Sequence, residues 1–411
     1  MNGRGGADIL LVRDLAQLAT PTARAVPARG RALAEVTVVE RAFVLCEDGR
    51  ISACGPMSEL GAFGGDVEEL DGSGLCAIPG LVDSHTHACF LGDRVEEFAL
   101  RARGASYEEL HAAGGGILST VRATRAGDQA ALTAATRRHR DWMLRAGTTT
   151  FEGKSGYGLD HDTELSSLRA VADAGGVPTW LGAHTVPPEF EDADAYLDFA
   201  LAEVLPDAAV VAEAADVFVE EGAFTVAQAR RYLEACHDAG LALRLHGDQF
   251  NELGAVALAI ELEVRSVDHL EATGESGARA LAASDVVGVL LPASALFLDR
   301  PMPPARALVD EGAAVALATD FNPGSAFCES LPLVCGLACT QLHLSPDEAL
   351  TACTVNAAHV LGRAARCGRI APGFGADLVL LDAPDWRHLA YHLGGDVIAA
   401  VVQGGHVAWA R

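Results

Sequence analysis

Ala77-Ile78-Pro79-Gly80-Leu81-Val82-Asp83-Ser84-His85-Thr86-His87 is an apolar run that stops at a cluster of polar residues. Read as a strand over Ala77–Ser84, it leads into two histidines one residue apart. Alternate side chains of an extended chain face the same way, so His85 and His87 point together from the strand end. Seven further runs of strand length follow: Thr148–Glu152, Thr179–Ala183, Val217–Glu220, Ala242–His246, Ser266–His269, Val286–Leu291 and Ala314–Thr319. Helical patterns such as Asp128–Ala146 and Val226–Ala239 lie between them. The last helix shows a capping box, with Ser345 as N-cap, Pro346 and Glu348 at the first and third positions, and Gly362 beyond its end. Strands and helices alternating over residues 76–364 predict parallel βαβ units, and eight units in about 290 residues predict a (β/α)₈ TIM-like barrel.

The flanks have a different texture. In residues 1–75, Ala7–Val12, Ala34–Leu45 and Arg50–Cys54 read as β segments punctuated by Gly, Pro and Asp. Residues 365–411 repeat it, with strands at Ala376–Leu381 and Val397–Val402 before the turn Gly404-Gly405. Two β-rich ends around an α/β middle predict one small β-sandwich domain assembled from both termini.

Composition narrows the partners. The chain has 411 residues, half of them hydrophobic, and a formal charge of −26 from 56 acidic and 30 basic residues. That balance repels phosphate backbones and anionic membranes, and no basic patch offsets it, so no nucleic-acid or membrane partner is expected. No apolar run reaches the roughly 20 residues that span a bilayer. Met1 to Ala7 carry no signal-peptide pattern, which makes a cytoplasmic location the expectation. The ten cysteines contain no Cys-x-x-Cys pair and read as buried thiols of a reducing compartment. Lys154, in Glu152-Gly153-Lys154-Ser155-Gly156-Tyr157-Gly158, is the only lysine. A survivor in a chain nearly stripped of lysine is a candidate for chemistry as well as for chance.

Chemistry in such a barrel sits at the C-terminal ends of the strands. There the sequence places His85 and His87 (strand 1), His184 (strand 3), His246 (strand 5), His269 (strand 6) and Asp320 (strand 8). An isolated His-x-His is more often solvated than functional, but five histidines and an aspartate on one rim form a constellation. Imidazole and carboxylate ligands suit Zn²⁺ or Fe²⁺ with a position open for water. His139, His161, His237, His343 and His388 read as surface or packing residues.

Pro79–His87, a strand-5 His and a strand-8 Asp together resemble the amidohydrolase superfamily, from about residue 40 to the C-terminus. Longer strings resemble its imidazolonepropionase family: Gly104-Ala105-Ser106-Tyr107, Gly114-Gly115-Gly116-Ile117-Leu118-Ser119-Thr120-Val121, Lys154–Leu159, Ala183–Glu189 and Thr319–Ser325. The resemblance implies hydrolytic opening of 4-imidazolone-5-propanoate to N-formimidoyl-L-glutamate, a step of histidine degradation. It implies one Zn²⁺ or iron ion (Fe²⁺ or Fe³⁺) per subunit, held by His85, His87, His246 and Asp320, and similar proteins are commonly homodimers.

That chemistry assigns roles. Asp320 is placed to take the proton of the attacking water and pass it on. His269 is the first candidate, and His184 the second, to orient the water or polarise the carbonyl. Gln249 stands three residues after His246, where many deaminases of the superfamily have a glutamate; an amide hydrogen-bonds but shuttles no proton, which argues against deamination. The resemblance has Gln249 contact the ring, and Arg94 and Tyr157 contact substrate, Arg94 as a fork for the propionate. Asn322, Gly324 and Ser325 offer further donors, and Gly324 has backbone freedom as its plainer explanation. Strand 4 ends in Glu220-Glu221-Gly222 with no bridging lysine, so one metal is expected, and Glu220 is the residue weighed for a second. The competing readings are another cyclic-amide or formimino hydrolase, and an inactive binding barrel.

Overall fold

The computed structural model describes residues 9–61, 67–104 and 115–411. It begins with β1 (Ile9–Pro21), β2 (Val36–Glu47), β3 (Arg50–Pro56), β4 (Glu68–Asp71) and β5 (Cys76–Pro79). Eight parallel strands then alternate with helices: β6 (Leu81–Asp83), β7 (Thr148–Lys154), β8 (Val177–Ala183), β9 (Ala214–Val217), β10 (Ala242–Gly247), β11 (Ser266–His269), β12 (Val287–Leu290) and β13 (Ala314–Leu317). The chain finishes with β14 (Leu378–Leu381), β15 (Ile398–Gln403) and β16 (His406–Ala410).

The flanking strands join as one mixed sheet in the order β16-β15-β14-β5-β1-β2-β3, with β4 also on β1. Its strands alternate, and Leu10, Val12, Leu378 and Leu380 meet in a core of their own. The run predicted as one strand over Ala77–Ser84 is two. Cys76–Pro79 pairs with β14 in the small sheet, and only Leu81–Asp83 belongs to the barrel. Gly80 is the crossing, where a Cβ would lie 2.2 Å from Thr149 Oγ1. Residues 7 and 8 of the first predicted strand, and 105–107 and 114 of the Gly-rich strings, lie outside the described residues.

All eight barrel strands form, the fourth displaced. Sequence puts it at Val217–Glu220, whereas the regular strand is Ala214–Val217, pairing Ala214 with Thr179 and Ala242. Its small alanines and a central Asp216 disguise a buried strand. The barrel closes between its first and last strands just past their ends: Asp320 N–H donates to His85 O (3.0 Å) and His87 N–H to Phe321 O (2.9 Å). Asp83 reinforces the seam, accepting from Thr319 N (3.1 Å) and Oγ1 (2.6 Å). Three expected metal ligands thus sit on the closure itself.

The predicted capping box is present, with Ser345 N–H donating to Glu348 Oε2 (2.7 Å) and Glu348 N–H to Ser345 Oγ (3.2 Å). The helix widens into a π turn at Ala352–Asn356 and ends at Val360. Asn356, fully buried, accepts from Ala28 N (2.7 Å) and donates to Ala28 O (2.9 Å) and Val315 O (2.7 Å), clamping the segment after β1 to the barrel. Asn356→Ala orphans three backbone groups, so a stability loss of about 3 kcal/mol is expected, read as a lower denaturant midpoint.

Candidate metal centre and substrate cavity

Three histidines and one aspartate converge at the closed seam. His87 Nε2 lies 3.4 Å from His246 Nε2. His85 Nε2 and His87 Nε2 are each 3.6 Å from Asp320 Oδ1. Tetrahedral donors at bond lengths of about 2.0–2.1 Å stand roughly 3.3 Å apart, so this spacing suits one small ion. His85, His87 and His246 also hold their ligand atoms within 4.8 Å of one another, as do His85, His269 and Asp320.

The electrostatics agree with a cation. Burial, then the surrounding imidazoles and Lys154, keep His85 and His87 well below the usual histidine range. Burial likewise lowers His246, to about 4, against the upward pull of Asp216. Neutral rings have a lone pair to give. Their Nδ1–H groups donate outward, His85 to Asp268 (2.6 Å) and His246 to Asp216 (3.0 Å), which leaves Nε2 facing the centre. His85 Nε2 is buried without a hydrogen-bond partner, a position an ion satisfies. The residues fit a divalent metal.

A cavity of about 650 Å³ opens above the cluster and is lined by every site residue singled out from the sequence except His85 and Lys154, which lie deeper. His269 has φ +87° and Asp320 φ +55°, both outside the strand region, so each side chain turns inward at a bend. Burial acts to lower His269, yet Glu271 (3.5 Å) and Asp320 outweigh it and raise the ring. Burial raises the Asp320 carboxyl. His184 Nδ1–H donates to Gly156 O (2.9 Å), and burial holds the ring down at about 3, so Nε2 stands as an acceptor. An acceptor cannot polarise a carbonyl, which removes that part of its expected role.

Other predicted residues carry partners the sequence did not reveal. Arg94 forms a bidentate pair with Glu97, with Nε at 2.9 Å, and Glu97 also accepts from Gly116 N (2.8 Å). Gly324 has no positive φ; it leaves room for Arg94, whose Nη1 would lie 2.0 Å from a Cβ there, so a side chain would have to displace that guanidinium. Asn322 donates to Asp320 O and Ser325 Oγ and accepts from Gly324 N and Ser325 N, so its amide is spent on organising the loop. Ser325 Oγ in turn donates to Asp320 Oδ2 (3.4 Å). Tyr157 is buried beside His87 and His184, on a turn that Glu164 holds by accepting from Gly156, Gly158 and Leu159 N–H. Glu220 accepts from Phe250 N (2.9 Å) and Asn251 Nδ2 (2.8 Å), fixing the loop that carries Gln249. This occupation leaves it a loop anchor, not a free ligand for a second metal. Arg101 and Arg300 also reach the cavity wall.

A barrel of this kind with a His/Asp centre defines the metal-dependent amidohydrolases, and residues 76–408 match the amidohydrolase family. Zinc-bound adenosine deaminase from Xanthomonas campestris has the same fold, with a TM-score of 0.71 at 18% identity over 98% of this chain and 93% of that one. Imidazolonepropionase from Rubrobacter xylanophilus is 61% identical over 405 residues, 96% of this chain and 97% of that protein. The enzyme of the same name from Herpetosiphon aurantiacus is 46% identical, covering 97% and 96%. The chain belongs to the imidazolonepropionase family.

Proposed function

We propose that the chain hydrolyses 4-imidazolone-5-propanoate to N-formimidoyl-L-glutamate, breaking a ring carbon–nitrogen bond in histidine degradation. The observation that carries this reading is the cavity itself, whose wall draws residues from four of the five family strings, among them Ile117, Tyr157, His184 and Asn322, over the His/Asp cluster. His85, His87, His246 and Asp320 hold one ion per chain, zinc or iron. When bound, a divalent ion there supplies Lewis acidity and eases deprotonation of water toward about pH 7.

The chain's own residues do the rest. Asp320 Oδ1, 3.6 Å from two imidazoles, takes the proton of the attacking water and returns it to the departing ring nitrogen. His269, kept basic by Glu271, donates to the carbonyl oxygen as negative charge develops there. His184 Nε2 accepts from a ring N–H, and the Tyr157 hydroxyl and Gln249 amide complete the grip on the ring. Ser325 steadies Asp320 within the loop shaped by Asn322 and Gly324.

Arg94 faces the propionate. Its replacement in Arg94→Met removes a charge-assisted hydrogen bond and leaves Glu97 bare before an anionic substrate. KM should rise by about 10- to 100-fold with kcat nearly kept. An unchanged KM removes Arg94 from the site.

No helix among the described residues is long and apolar enough to cross a membrane. The ten cysteines are free thiols, seven of them buried, which supports a reducing cytoplasmic setting. The family resemblance carries the expectation of a homodimer, which light scattering reads directly. The decisive test supplies 4-imidazolone-5-propanoate and follows loss of its ultraviolet absorbance beside elemental analysis. Bound metal without turnover overturns the substrate assignment.

A further inference from the structure

Beneath the metal cluster, five charged side chains fill the barrel interior. Glu152, Lys154, Asp216, Arg244 and Asp268 are each at most 2% exposed. Unpaired charges there would be severely destabilising, so their pairing has to be close. Arg244 pairs with Glu152. Lys154 Nζ lies 2.9 Å from Glu152 Oε2, 2.6 Å from Asp216 Oδ2 and 3.8 Å from Asp268 Oδ2.

The last two contacts connect the lattice to the centre above. Asp216 accepts from His246 Nδ1–H through Oδ1, the oxygen Lys154 does not hold. Asp268 Oδ2 accepts from His85 Nδ1–H. One ammonium thus stands between the two carboxylates that orient two of the three histidines, on strands β7, β9 and β11, while His246 comes from β10. A carboxylate partner selects the Nδ1–H tautomer and the ring plane. A cation between two such partners fixes their separation and therefore the separation of the rings.

We propose that Lys154 is a positioning residue for the metal centre, bridging Asp216 and Asp268 so that His246 and His85 present Nε2 to the same ion. The inference rests on reading those histidines as ligands. It gives the only lysine in the chain a task that needs no contact with substrate or metal.

The first test is zinc affinity of the full-length protein by chelator competition. Lys154→Met should weaken zinc binding by about 10- to 100-fold, the range typical of outer partners of metal ligands. In an Asp216→Asn/Asp268→Asn background the same change should cost under about threefold, because the bridge is already gone. Equal losses in both backgrounds, or none in either, overturn the proposal. Should Lys154→Met fail to fold, the native chain still decides the matter. Labelling with ε-¹⁵N-lysine gives a single side-chain resonance, which should shift on zinc loading because its carboxylate partners re-pair with the liganded rings. Zinc uptake with an unmoved resonance overturns the bridge alone. A native chain that takes up no zinc overturns the ligand reading, and the bridge with it.

Discussion

Purified His246→Ala should contain no stoichiometric metal and show no measurable turnover. His246 supplies the ring nitrogen nearest another expected ligand, 3.4 Å from His87 Nε2. Losing an outer partner of a ligand already weakens metal binding by roughly 10- to 100-fold, so losing the ligand should exceed 100-fold. The fold should survive, since Asp216 keeps its 2.6 Å contact with Lys154. Metal content, activity and the thermal transition, measured on one preparation, separate the outcomes. Retained metal with retained activity removes His246 from the ligand set.

Asp320→Asn should behave differently. The amide is isosteric and keeps a group beside Ser325 Oγ, but it cannot accept and return a proton. A fall in kcat of about 10²- to 10⁴-fold is expected, the usual span for a general acid–base residue. Metal binding weakens as well, since a charged ligand is lost. Titrating metal back to saturation should therefore restore occupancy without restoring kcat. Recovery of kcat at saturating metal would leave Asp320 a ligand only, and the proton would have to travel through His269.

The barrel was legible because each buried strand is a short apolar run and polar residues gather where it ends. The convergence of His85, His87, His246 and Asp320 was legible for the same reason, since all four lie at or just beyond such ends. Reading faltered where the interior itself is charged. Asp216 lies in the middle of β9 and made an apolar strand look like a loop, so the prediction slid three residues downstream. Glu152, Arg244 and Asp268 fall within predicted strands, yet nothing local pairs them; what buries them is mutual pairing across strands distant in sequence, which no local periodicity records. A charged residue inside an otherwise apolar strand run was the available signal. Partner choice was equally hidden for Arg94, whose position was readable but whose pairing with Glu97 depends on the following helical turn. Asn322 shows the same limit, because only geometry reveals that both ends of its amide are already engaged by the loop around it.

The buried ammonium of Lys154 also gives the protein an unusual surface chemistry. With its single lysine at 0% exposure, the folded chain offers acylating reagents no ε-amine at all, only a terminal one. Addition of a second acyl group therefore requires the barrel to open, and its rate at low reagent reports the equilibrium population of the open form, as amide exchange does for the most protected hydrogens. Whole-protein mass spectrometry would show this as one discrete mass step. The chain carries a built-in reporter for barrel opening at its charged core, one that needs no introduced label.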